Sequence, residues 1–497
     1  MSYILSVDQS TQGTKALLFD AAGMLLCRRD VAHEQIINEK GWVSHDPEEI
    51  YRNTVEAVRL VLDASGIDPA EVAALGISNQ RETSVCWEKS TGKPIANAIV
   101  WQCGRAKELC QRVIDAGWSE KVHKATGIPV SPFFPASKFA WLVENTPGAK
   151  EKAANHELCF GTVDTWLVYC LTGGKSYKTD YSNASRTQLF NIHTLSWDEE
   201  ICSAFGLSAG DLPQLTASDD CFGDTDIGGV LPKQVPICGV LGDSHAALFG
   251  QGCLNPGMAK ATYGTGSSIM MNIGDAPIES RNGLVTSLAW KYRGRVQYVM
   301  EGNLNYTGAV IRWIEKDLGL AKASETQALA ESANKDDTTY LVPAFTGLGA
   351  PYWNNDAKAL ICGITRLTGK AELVKAGLDC IAYQITDIVG AMERDTDMKL
   401  TQLRVDGGPT RNGYLMQLQS DLLDADVLIP SSEELSGIGA AYLAGLTAKV
   451  YNEAVFTAME RTAYRPRMEA AERARKYSGW QDAVSLVTNH GKRSEKR

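Results

Sequence analysis

The chain predicts an α/β fold made of two similar halves that face one another across a cleft. Two observations carry this. Short apolar, strand-like runs are mixed with a clearly periodic helix in the first half, the pattern of α/β layers. One local arrangement then occurs twice: a strand, a turn rich in glycine and hydroxyl residues, and a second strand, near the start of the chain and again in its middle.

The first copy has strands at 3–7 (YILSV) and 16–19 (ALLF) around the turn Asp8-Gln9-Ser10-Thr11-Gln12-Gly13-Thr14. A helix follows over 47–64, with Asp46 as N-cap and Pro47 at the first helical position, where its missing N–H costs nothing. Further strands are expected at 72–77, 84–87 and 97–100. Asp243 then leaves a buried apolar run and enters a small-residue helix. Gly, Asn and Pro in the QGCLNPG segment place a boundary near 248–256, giving domains 1–250 and 251–497. The second copy has strands at 258–263 and 269–273 around Gly264-Thr265-Gly266-Ser267-Ser268. A strand at 402–406, the turn Gly407-Gly408-Pro409-Thr410 and a helix at 411–423 come next. A Gly/Ala-rich helix at 436–448 allows close backbone packing, and 454–486 is expected to form charged helices.

Composition narrows the class. The 497 residues suit two large domains or three smaller ones. A hydrophobic fraction of 44% and a charged fraction of 22% are those of a soluble globular protein. The net charge of −10 argues against a nucleic-acid surface. The 12 cysteines form no CxxC pair and mostly lie in apolar runs, as reduced core residues of a cytoplasmic protein do. The start has no basic stretch before a long apolar one, and no run reaches about 18 apolar residues, so neither a signal peptide nor a membrane helix is expected. The final GKRSEKR is a basic, fraying tail.

The chemistry concentrates at the turns. Asp243, at a strand–helix junction, is a rigid carboxylate facing an opening, and a helix N-terminus favours its ionised form. Asp8 ends an apolar strand, and magnesium needs few protein carboxylates when phosphate and water oxygens complete its shell. One carboxylate for a metal and one for a hydroxyl proton is the equipment of a small-molecule phosphotransferase. The two turns offer backbone N–H groups and hydroxyls to phosphates, with Lys15 adding charge; the bland alternative is a plain hairpin turn. Neither a P-loop nor a dinucleotide fingerprint is present at the first strand. Six polar residues, Ser78 to Thr83, follow a buried strand, which is costly unless they line a site. Among them Arg81 and Glu82 suit vicinal hydroxyls. Trp101 is either an apolar wall for a sugar carbon chain or an ordinary core residue. Asp406-Gly407-Gly408 allows a planar base or ribose to approach the backbone. His245, beside Asp243, is read as packing on its helix.

Several segments together resemble the FGGY family of carbohydrate kinases, and within it the glycerol kinases. They include Asn79-Gln80-Arg81-Glu82-Thr83, Val100-Trp101-Gln102-Cys103, Gly161-Thr162-Val163-Asp164-Thr165-Trp166 and Asn183-Ala184-Ser185-Arg186-Thr187. Tyr263-Gly264-Thr265-Gly266, the run Pro343 to Trp353, and Val405-Asp406-Gly407-Gly408 add to them, as does the signature through Phe133, Pro135, Lys138, Trp141 and Asn145. The resemblance implies the two-domain, actin-like ATPase (ribonuclease H-like) fold, closing over ATP and Mg2+. It implies Asp243 as general base, with Asp8 and Asp243 near the metal. Thr11, Gln12, Gly13, Thr14 and Lys15 with Gly264 and Thr265 would bind phosphates. Gly308, Arg312, Gly408 and Asn412 would complete the nucleotide site. Arg81, Glu82, Trp101, Phe133 and Ser244 would hold a polyol or sugar. A homo-oligomer, dimer or tetramer, and no nucleic-acid or membrane partner are further implications.

Departures from the family pattern matter too. Ser244 stands where glycerol kinases carry Gln, and Phe133 where they carry Tyr. Each change removes a partner for glycerol, worth about 1–3 kcal/mol, and Ser244 opens room. The acceptor is then a longer polyol or ketose, or glycerol held by altered contacts; a xylulokinase-type ketose kinase and a non-catalytic, nucleotide-switched actin-like protein are the alternatives. Gly377 replaces a larger residue, a change of packing. The loop Gly228 to Gln234 lacks the Gly-rich, Arg-ending form that serves sugar-bisphosphate inhibition, so no such control is expected.

Overall fold

The computed structural model describes residues 2–494. Strands β1 (Tyr3–Gln9) and β2 (Gly13–Phe19) form an antiparallel hairpin, with Ile4 opposite Phe19 and Gln9 opposite Thr14. β3 (Leu25–Ala32) continues it on one side. On the other side β4 (Val72–Asn79) lies parallel to β1, and β6 (Val235–Gly242) parallel to β4. With β5 (Gly223–Thr225) the sheet order is β5-β6-β4-β1-β2-β3.

The second half repeats this plan. β7 (Ala259–Tyr263) and β8 (Ser267–Gly274) form an antiparallel hairpin, with Tyr263 opposite Ser267. β9 (Val285–Tyr292) and β10 (Arg295–Leu304) extend it on one side. β11 (Gln402–Asp406) and β12 (Asp426–Pro430) extend it on the other in parallel, and β13 (Arg461–Tyr464) closes the edge. The order is β9-β10-β8-β7-β11-β12-β13. The succession β3-β2-β1-β4-β6 thus matches β10-β8-β7-β11-β12. The repeated turn in the sequence is the tip of the equivalent hairpin in each sheet.

Helix α1 (Pro47–Ser65) covers one face of the first sheet. Asp46 caps it by accepting from the Glu48 N–H, and Ile50, Val58, Val61 and Leu62 are buried against Val7, Leu75 and Val168. The opposite face packs on α2 (Asp243–Gly250) and α5 (Leu435–Thr447), together with Met270, Trp290 and Val299 of the second sheet. These two helices therefore lie between the sheets. Their close approach depends on glycine: a Cβ on Gly439 would sit 1.8 Å from the Ala246 carbonyl oxygen, and one on Gly76 would sit 2.3 Å from that of Ala440. So α5, late in the chain, packs on the sheet built by its start. Helix α3 (Lys370–Thr396) fills the main core of the second half. Within it Gly377 is a packing position, since a Cβ there would meet Ile314 at 2.4 Å.

One expectation needs correction. The segment 454–486 is not purely helical: β13 interrupts it, because the second sheet needs an edge strand beyond β12, and only Ala470–Ser494 (α6) forms a long helix. The expected strand at 84–87 is present as Ser84–Glu88, in a separate five-stranded sheet beside Leu158–Thr162. The helical part of the basic tail runs to Ser494, and 495–497 lie outside the described residues. Among the described residues no helix is long and apolar enough to cross a membrane. All twelve cysteines are free thiols, most of them buried.

Candidate active site

The tips of both hairpins open into one cleft of about 780 Å³. It is lined by Thr11 and Gln12 of the first turn, Gly264, Thr265 and Gly266 of the second, and by Arg81, Glu82, Trp101, Phe133, Asp243 and Ser244. Residues far apart in sequence thus converge at the ends of β1, β4 and β6 in the first sheet and of β7 in the second.

Asp243 is the first residue of α2, directly after β6, and its side chain is 38% exposed to the cleft. The Arg81 Nε lies 3.2 Å from its Oδ1, and the Ser244 N–H donates to the same oxygen at 2.6 Å. Both of these contacts are to Oδ1, which leaves Oδ2 for a ligand in the cleft that Asp243 lines.

Arg81 is held from the other half of the molecule. Its Nη1 and Nη2 donate to Glu301 on β10, both at 3.0 Å, and Nη2 also donates to Ser244 at 3.2 Å. Burial alone would lower the Arg81 pKa, but the carboxylates of Glu301, Glu82 and Asp243 hold it above its ordinary value. Burial would push the Glu301 carboxyl up, yet Arg186 and Arg81 hold it well below the usual range. Arg186, itself buried, pairs with Glu82 at 2.6 Å and Glu301 at 3.0 Å. Two arginines and two acids form a compensated cluster, the condition under which buried charge is tolerated. Glu82 adopts φ 60°, a left-handed conformation costly for a residue with a side chain, and the Arg186 guanidinium on its carboxylate holds it there.

The aromatic wall is tied down in two ways. The Trp101 indole N–H donates to Thr11 Oγ1 at 2.9 Å, and its ring meets Phe133 edge to face at 5.4 Å. Lys138, fully buried, donates to the backbone carbonyls of Glu82 (3.3 Å), Trp101 (3.2 Å) and Phe133. One ammonium therefore fastens three segments of the pocket, and burial pulls its pKa down to about 7.

Asp8 lies beneath the cleft. Ser78 donates to it at 2.9 Å, and Lys15 stands 3.9 Å away while pairing with Glu434 at 2.9 Å. Burial raises its pKa to about 6, with Lys15 opposing and Asp243 adding to the rise. Among the described residues no cluster of three or more His, Cys, Asp or Glu could hold a metal unaided. Magnesium takes one or two protein carboxylates and completes its shell with phosphate and water oxygens, and Asp8, near enough to Asp243 for that charge to raise its pKa, would supply one of them.

Other expected nucleotide residues vary. Gly308 braces the second turn, its N–H donating to the Gly264 carbonyl at 2.9 Å. Gly408 has open space where a Cβ would point, and Gly407, at φ 100°, packs against Tyr263, where any side chain would clash. Arg312 is exposed. Gly13 opens β2 against Val31, away from the lining. One expectation does not fit this geometry. Thr14 is fully buried with its hydroxyl 3.0 Å from His33 Nε2, so its side chain does not reach the cleft. Asn412 caps helix α4 (Gly413–Leu423), its Oδ1 accepting from the Leu415 N–H and its Nδ2 donating to Thr326, and half-buried it keeps a second N–H for a ligand. His245 is buried on α2 as expected, its Nε2 3.5 Å from Ser287.

Glu301 and Lys138 were assigned no site role from the sequence, and Arg186 stood only within a matching segment. Glu301 carried a signal of the kind that exposed Ser78–Thr83: a carboxylate closing the apolar strand run Tyr298–Met300 needs a buried partner.

Comparison with known proteins agrees with this geometry. Residues 3–250 match the N-terminal domain, and residues 259–448 the C-terminal domain, of the FGGY family of carbohydrate kinases. The chain belongs to this family, and so is a kinase acting on an alcohol group. Its relatives include glycerol kinase 1 of Thermotoga maritima, 47% identical over 97% of this chain and 99% of that protein. Another is the glycerol kinase of Symbiobacterium thermophilum, 45% identical over 97% of each chain. A crystal structure of Plasmodium falciparum glycerol kinase with ADP superposes with a TM-score of 0.91 at 34% identity, covering 98% of both chains. A xylulose kinase from Lactobacillus acidophilus shares the fold, with a TM-score of 0.87 at 19% identity.

Proposed function

We propose that the protein transfers the terminal phosphoryl group of ATP to a hydroxyl of glycerol or a related polyol. The observation that carries this is the placement of Asp243, Arg81 and Glu82 between an aromatic wall and two hydroxyl-rich hairpin tips, in a chain 47% identical to a glycerol kinase.

In this reading Arg81 and Glu82 bind adjacent hydroxyls of the acceptor, and Trp101 and Phe133 cover its carbon chain. The free oxygen of Asp243 takes the proton from the hydroxyl that attacks. A bond from the acceptor's hydroxyl oxygen to the terminal phosphorus forms as the bond from that phosphorus to the bridging oxygen of ADP breaks. Phosphoryl transfer asks mainly for positioning and charge neutralisation. Bound Mg2+ would neutralise charge on the phosphate oxygens, with Asp8 and Asp243 as its protein anchors. Backbone N–H groups of both turns, with Thr11, Thr265 and Lys15, are the phosphate partners, and the open side of Gly408 receives the adenosine. We take residues 1–250 as the acceptor-binding domain and 251–497 as the nucleotide domain, whose closure excludes water as a competing acceptor. A cytoplasmic homo-oligomer is part of the same proposal.

The test is ADP release with MgATP and glycerol, dihydroxyacetone, erythritol, xylulose or ribulose at matched concentration. ADP release should rise with at least one of them; a rate the same with every acceptor and with none would contradict the reading.

A further inference from the structure

The cleft that Trp101 and Phe133 line also carries a polar rail organised by one carboxylate. Glu301 Oε1 accepts from Arg81 (3.0 Å), Ser268 Oγ (3.2 Å) and Asn303 Nδ2 (3.2 Å). Arg81 in turn donates to Ser244. Ser244, Ser268 and Asn303 all line the cleft. Ser268 stands opposite Asn303 across the β8–β10 ladder.

The rail extends past the Arg81–Asp243 clamp. Glu301 and Asn303 share a face of β10, about 7 Å apart along the strand. Asn303 is exposed to the cleft, and its amide oxygen faces no protein donor among the described residues. The two serines are small, so the wall beside the clamp is recessed as well as polar. Ser244 and Ser268 each use the hydroxyl oxygen or proton once, on Arg81 and Glu301, and keep further hydrogen-bonding capacity for a ligand. A three-carbon acceptor held by Arg81, Glu82 and Asp243 leaves Asn303 unmatched. A longer chain lays its C–H edges on the aromatic rings and its additional hydroxyls on the rail.

We infer that the acceptor is a polyol or ketose of four or five carbons, and that Ser268 and Asn303 are the residues that select it. This rests on the kinase reading above, and the test separates the two. The measurement is kcat/KM at saturating MgATP for glycerol against erythritol, threitol, xylitol, erythrulose, ribulose and xylulose, in the wild type, Ser268→Leu and Asn303→Ala. The wild type should prefer at least one longer acceptor over glycerol by about tenfold or more, the scale on which a matched or unmatched polar site discriminates. Ser268→Leu fills the recess and Asn303→Ala removes its amide. Each should lower kcat/KM for that acceptor by about tenfold, leave glycerol much less affected, and leave the KM for MgATP unchanged. A merely structural role would move the MgATP KM and both acceptor classes together, and that result overturns the assignment, as would a preference for glycerol over every longer compound. Either outcome leaves the kinase reading standing; only ADP release that no acceptor stimulates removes it. Should Ser268→Leu fail to fold, Asn303→Ala and the wild-type ranking still decide the question.

Discussion

Glu301 exposes almost nothing to solvent, yet it holds Arg81 by two hydrogen bonds and lies against Arg186. Removing one partner from a buried ionic cluster leaves uncompensated charge, a cost of about 3–5 kcal/mol. Glu301→Gln should therefore lower the denaturation midpoint, and also raise the acceptor KM about tenfold or more while the MgATP KM changes little. Equal effects on both KM values would make Glu301 structural only. At this scale much of the site was legible. Arg81, Glu82 and Asp243 stand out as charged groups directly after apolar strands, and Trp101 as an aromatic ring after one, though the ring alone reads equally well as core. Thr14 misled because a hydroxyl in a turn looks the same whether it faces a ligand or, as here, His33. Lys138 gave no signal of its function, because its partners are backbone carbonyls, which no sequence pattern reveals.

Among elements, the contact of α2 with α5 governs where Asp243 points. Gly439 meets the backbone of Ala246, which cannot move aside as a flexible side chain could. Gly439→Ala should push the helices apart, costing about 1–3 kcal/mol, and reduce turnover; unchanged stability and kcat would show that the contact is slack. A second joint fastens α6 to α3: the Asp387 carboxylate accepts from Tyr477 (2.6 Å), Trp480 (2.8 Å) and Tyr352 (2.9 Å). Burial raises its pKa from 3.8 to about 6. The folded state then holds this proton more tightly than the unfolded one between those values. Its contribution to stability is present at low pH, is lost as pH rises toward 6, and changes no further above it. Denaturant unfolding of the wild type and Asp387→Asn at several pH values should show the wild type losing ground to the variant as pH rises from about 4 to about 6. A difference independent of pH would contradict this. The Gly/Ala content of α5 announced close packing, but not its partner, since that depends on the chain crossing back to the first sheet.

The whole molecule is a duplicated sheet with helices α2 and α5 between the copies and a cleft at the hairpin tips. The duplication was readable because each copy kept its strand–turn–strand grammar; the small sheet bearing Ser84–Glu88 was not, because its partners at 43–45, 98–99 and 158–162 are short and scattered. The architecture gives one half Arg81, Glu82 and Asp243 and the other the second hairpin turn, and joins them through Arg81 and Glu301. Everything then depends on Asp243 Oδ2 acting as the base. Asp243→Asn keeps the size of the side chain and removes its basicity. The direct measurement is acceptor-dependent ADP release by this variant alongside its MgATP affinity. The account predicts turnover lower by about a thousandfold or more with MgATP binding largely retained; turnover close to that of the wild type would contradict it.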